Sequence, residues 1–173
     1  MTPQADLIYN HDYAERLYRG PAAFKEAWQE LIFRGEVFER VFYDAIGPIL
    51  DAIPQVTGFP WTAAQHTIPI YLIADGTSVP APLSLVVTAD VEQMLYDLIW
   101  LLVRANLATG YASAERRDQI LQAVSTAVAE RAGLHLQDAI ANVELALREK
   151  YGVETKSVDW DLTTQPAKHY LAL

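Results

Sequence analysis

The chain contains no cysteine. That removes disulfides, thiolate nucleophiles and cysteine zinc sites together, and it suits a reducing compartment, so a cytoplasmic location is the expectation. Basic charge is scarce as well: 13 Lys and Arg stand against 22 Asp and Glu, a formal net charge of −9. Phosphate binding needs a concentrated basic surface, and the one adjacent basic pair is Arg116 with Arg117, so nucleic acid is not an expected partner. Long apolar runs are missing too. The stretches 52–74 and 76–89 carry no Asp, Glu, Lys or Arg but are interrupted by Pro54, Pro60, Pro69, Pro80 and Pro82, whereas a membrane span needs about 20 continuous apolar residues. Residues 1–10 show no basic region followed by an apolar run and do not read as a secretory signal.

Catalytic signatures are equally sparse. The eight glycines are scattered and build neither G-x-G-x-x-G nor G-x4-G-K, and no G-x-S-x-G elbow occurs. His11, His66, His135 and His169 lie far apart in sequence and form no recognised ligand spacing, so no metal and no cofactor are expected.

What is present is an ordinary globular composition, 51% hydrophobic and 20% charged over 173 residues, enough for a single domain with its own core. The fold class expected is α+β: N-terminal helices, a small sheet, then three C-terminal helices. Residues 1–57 read as helical. Gly20–Pro21 marks a start, Phe24, Ala27, Trp28, Leu31 and Ile32 recur at helical spacing up to Gly35, and Val37, Phe38, Val41, Phe42 and Ala45 repeat the pattern until Gly47–Pro48, with a short continuation to Ile53. Tyr9, Tyr13 and Tyr18 suggest a shorter helix before both. Residues 58–89 are strand-rich: Ile68, Ile70, Leu72 and Ile73 lead to a turn at Asp75–Gly76, and Leu83 to Thr88 is a second run. Pro69, which cannot donate to a central ladder, points to a strand start or a sheet edge. Residues 90–152 return to helix, with Asp90 and Ser113 as N-caps, stops at Gly110, Gly133 and Gly152, and a third helix over roughly 136–151. Residues 153–173 read as an edge strand to about Leu162 and then a tail.

The helix from Val91 to Leu107 carries two stripes. Val91, Leu95, Leu98 and Leu102 form an apolar one; Glu92, Tyr96, Trp100 and Arg104 form another at i, i+4 spacing, polar at both ends and aromatic between. This stretch, Tyr96-Asp97-Leu98-Ile99-Trp100-Leu101-Leu102, in its setting of preceding strands and following helices, resembles the small gluzincin-type (minigluzincin-like) zinc proteases over residues 65–150. There the helix carries H-E-x-x-H. Here both histidine positions are replaced, by Tyr96 and Trp100, and the glutamate position is shortened to Asp97. The resemblance implies a zincin-like fold, with Glu130 or Glu144 at the place of the third ligand. An indole offers only an N–H and a phenol stays protonated near neutral pH, so it implies a protease-like scaffold without zinc or protease chemistry.

The function expected is therefore binding, in a cleft beside Tyr96 and Trp100, of a protein or small ligand, with Glu92, Tyr96, Asp97, Trp100 and Arg104 as candidate cleft residues and no catalytic residue. Two alternatives stay open: a metal-independent hydrolase pairing two carboxylates among Asp75, Asp90, Glu92 and Asp97, and a structural assembly subunit. The i, i+4 aromatic pairs Tyr9/Tyr13, Phe24/Trp28 and Phe38/Phe42 add an expectation of a homodimer or a protein partner through the N-terminal helices.

Overall fold

A computed structural model describes residues 2–62, 65–76, 78–107, 111, 113–152 and 158–171. Four strands, β1 (Gln4–Ile8), β2 (Thr67–Ile73), β3 (Val79–Pro80) and β4 (Leu83–Val86), lie in the order β1-β2-β4-β3. The first three in that order are parallel, and β3 closes the far edge antiparallel to β4. The helices are α1 (His11–Leu17), α2 (Phe24–Thr57), α3 (Val91–Asn106), α4 (Ala114–Arg131), α5 (Gln137–Tyr151) and α6 (Lys168–Leu171). The class is α+β, as expected.

Alternation along the strands separates two faces of the sheet. Ile70, Leu72 and Leu85 point to one face and are fully buried in the core shared with α2 and α3. Tyr71 and Ser84, register partners, point to the other, where α1 covers them. The Tyr13 hydroxyl lies 2.8 Å from Ser84 Oγ, and its ring centroid is 4.9 Å from that of Tyr71.

The first third differs from its expected outline. A single 34-residue helix, α2, replaces the two anticipated ones, preceded by a 3-10 turn at Pro21–Ala23. Gly35 does not end it. The Tyr9 ring lies so close that a Cβ at position 35 would sit 2.7 Å from it, so this glycine is a contact surface inside a helix. Pro48 does not break the helix either: it sits with Asp44 on the exposed side, where the carbonyl left without a donor is open to water. Pro54, deeper along α2, removes the N–H that Leu50 would otherwise receive, and the Trp61 indole N–H fills that carbonyl at 2.9 Å.

Of Tyr9, Tyr13 and Tyr18, only Tyr13 lies in α1, and the residues before it form β1, which the helical reading missed. β2 is internal, and Pro69 lies near its start, opposite Asp6 of β1 and ahead of the stretch from Tyr71 where β4 also pairs. The helices after the sheet match their caps: Asp90 and Ser113 accept from the N–H groups of Gln93 and Arg116, and Gly133 and Gly152 have positive φ. Gly110 lies outside the described residues, as do 153–157 of the expected edge strand. Residues 158–162 carry no strand. The tail docks instead, with Ala167 buried and its N–H donated to the Val56 carbonyl at 2.8 Å. Among the described residues no helix is long and apolar enough to cross a membrane.

Candidate functional site

A cleft of about 510 Å³ opens between the β3–β4 side of the sheet, α3 and α5. The sheet side contributes Gly76, Ser78, Val86 and Thr88; α3 contributes Asp97, Trp100 and Leu101; α5 contributes Val143, Ala146, Leu147 and Lys150. Helical geometry sets the α3 contribution, because positions 97, 100 and 101 share one flank while Leu95, Leu98 and Leu102 turn into the core.

The five candidate residues divide. Asp97 and Trp100 line the cleft, both half-buried. Tyr96 is fully buried instead: its hydroxyl donates to the Gln122 carbonyl at 3.3 Å and shares a hydrogen bond with the Thr126 hydroxyl at 3.2 Å. Burial pushes this phenol up to about 12, against the lowering effect of the Thr126 hydrogen bond, so it is a neutral tie between α3 and α4. Glu92 reaches across to α5, where Oε1 accepts the N–H groups of Asp138 at 2.9 Å and Ala139 at 3.2 Å. It supplies the cap that the residue at the N-cap position, Leu136, cannot provide. Arg104 is half-buried and does not line the cleft.

The carboxylates of the hydrolase alternative have separate local partners. Asp90 caps α3, Asp75 accepts from the Gly76 N–H, and Glu92 caps α5, which leaves Asp97 as the one of the four in the cleft wall. Its Oδ1 accepts from Gln93 Nε2 at 2.9 Å. Burial raises the Asp97 carboxyl above its ordinary value; the Gln93 hydrogen bond lowers it and nearby Asp90 raises it further.

The α5 wall escaped the sequence reading. Val143, Ala146, Leu147 and Lys150 share one helix face, but only Ala139 and Leu147 of α5 are buried, so its apolar stripe is faint. Its far end is fastened by buried Asp118 of α4, which accepts from Lys150 Nζ at 3.0 Å, the Tyr151 hydroxyl at 2.7 Å and Arg117 Nε at 2.9 Å. Arg116, the other member of the basic pair, lies over the Trp160 ring at 5.7 Å. The histidines are all exposed, and His11 packs edge-on against Phe24 and Trp28. Among the described residues the one group of three potential metal ligands is exposed His11, Asp12 and Glu15, none of which lines the cleft. Glu130 and Glu144 are exposed, and Glu144 accepts from Gln122 Nε2 at 3.2 Å.

Comparison with family models, curated proteins and solved structures returned no match.

Proposed function

We propose that this domain acts by binding a small, mainly apolar ligand in the cleft between the sheet, α3 and α5. The observation that carries the reading is the combination of a ligand-sized cleft of about 510 Å³ with walls built from Val86, Trp100, Leu101, Val143 and Leu147 and one half-buried carboxylate, Asp97. Small-molecule sites have this makeup, an apolar lining with few polar groups that fix orientation. The gluzincin resemblance enters as scaffold only: at the histidine positions the Trp100 indole offers only an N–H and the Tyr96 phenol stays protonated at neutral pH, and Asp97 without a metal-activated water has no hydrolytic partner. Titration with Nile red, a neutral apolar dye, tests the reading. Saturable binding near one dye per chain, lost in Ala146→Phe, which fills the cleft from α5, is the expected result; no binding, or equal binding by the variant, contradicts it.

A second reading concerns self-association through α2. Phe24, Phe38 and Phe42 serve the core, but Phe33, Val37 and Val41, four residues apart, stay exposed; Phe33 is 64% exposed. One self-complementary patch is enough for a closed two-fold pair. Light scattering is expected to give twice the chain mass of 19.3 kDa, reduced to one chain by Phe33→Glu; a strict monomer in the unaltered protein removes the homodimer.

A further inference from the structure

The polar groups around the cleft are not equally free. The Ser78 hydroxyl accepts from the Val86 N–H at 3.0 Å, completing the strand edge. The Thr88 hydroxyl is closed onto Asp90, accepting its N–H at 3.2 Å and donating to its carbonyl at 3.3 Å. Lys150, the cleft's one cation among the described residues, is held by Asp118 Oδ2 at 3.0 Å. Asp97 is the exception. It makes no ion pair among the described residues, and its one hydrogen-bond partner there is the neutral amide of Gln93. A half-buried carboxylate in an apolar wall is costly unless a positive charge or several donors face it. Three residues further along the same helix flank, Trp100 brings a ring that attracts cations to its face.

We infer that the cleft selects ligands with an apolar body and a protonated amine, the amine pairing with Asp97 and the body lying against Trp100, Leu101 and Leu147. This rests on the cleft being the binding site, and it adds the sign of the ligand's charge. Lys150 does not offset the preference, because its charge is already paired with Asp118. The overall charge of −9 works in the same direction by enriching cations near the surface.

Three probes of matched size separate the charge claim from the binding claim: 3-phenylpropylamine, 3-phenylpropanol and 3-phenylpropionate, titrated calorimetrically at pH 7. The amine is expected to bind about tenfold more tightly than the alcohol, and the carboxylate more weakly than either. In Asp97→Asn the amine should fall to the affinity of the alcohol while alcohol binding stays, which also shows that the variant is folded. Equal affinity for amine and alcohol, or an amine preference that survives Asp97→Asn, overturns the inference and leaves the cleft as a neutral apolar site. Absence of binding by all three, together with no uptake of Nile red, overturns the cleft reading itself.

Discussion

Two carboxylates withdrawn from water, Asp118 on α4 and Asp97 on α3, stand on either side of the contact with α5 and have opposite surroundings. Burial would push Asp118 up, but Tyr151, Lys150 and Arg117 donate to it and hold its carboxyl below the ordinary value. Burial pushes Asp97 up as well, and there one amide hydrogen bond does not overcome it. The same chemical group therefore serves as a fastener in one place and is left short of partners in the other. The difference follows from where donors lie on α5: Lys150 and Tyr151 at its C-terminal end reach Asp118, while the middle of the helix offers Asp97 only the apolar wall of Val143, Ala146 and Leu147. Asp118 supports the site by holding its wall; Asp97 faces the space that wall encloses.

The largest effect is expected at the fastener. Asp118→Asn removes the charge that three donors converge on and should cost about 2 kcal/mol in urea unfolding at pH 7; a change below a few tenths would mean that the donors are satisfied equally well by water. Glu92→Ala releases the other end of α5 by uncapping Asp138 and Ala139 and should cost about 1 kcal/mol, the usual scale of a lost helix cap. Asp97→Asn should go the other way. The amide keeps the Gln93 hydrogen bond and removes the burial penalty on charge, so a gain of up to about 1 kcal/mol is expected at neutral pH; destabilisation there would mean that Asp97 has a stabilising partner after all.

The acid limb sharpens the contrast. A depressed carboxyl contributes stability above its unfolded value, near 3.8 for Asp118, and that contribution is lost as pH falls through the lower folded value. A raised carboxyl does the reverse: Asp97 costs stability above its folded value, and the cost disappears as pH falls through that value towards 3.8. Thermal unfolding should therefore show a shallower loss below about pH 3.8 for Asp118→Asn and a steeper loss above about pH 3.8 for Asp97→Asn than for the unaltered chain. Parallel curves would deny that the two groups differ.

The later helices were legible because their ends are local. Asp90 and Ser113 cap the N–H three residues on, and Gly133 and Gly152 take the positive φ that ends a helix. The errors lie where a distant residue changes the meaning of a local signal. Gly35 reads as a stop until Tyr9 is seen against it. β1 pairs only with β2, about 60 residues away in sequence, so Gln4–Ile8 had no nearby partner to give it a strand pattern. At the site, i, i+4 spacing put Tyr96 and Trp100 on one stripe, yet the 0% exposure of Tyr96 places it in the core while Trp100 reaches the cleft. Periodicity identifies a face but not the neighbour that covers each part of it. The same gap hid Glu92, whose task depends on where α5 begins.

Residue-resolved NMR titration of the isotope-labelled protein with 3-phenylpropylamine tests the cleft account most directly. The account predicts that the Trp100 indole N–H, the backbone of Asp97 and Leu101 and the α5 amides of Val143 to Lys150 shift together and saturate in one isotherm, while α2 amides around Phe33 stay in place. Saturating shifts centred on the exposed α2 face, with the Trp100 indole unmoved, would contradict it.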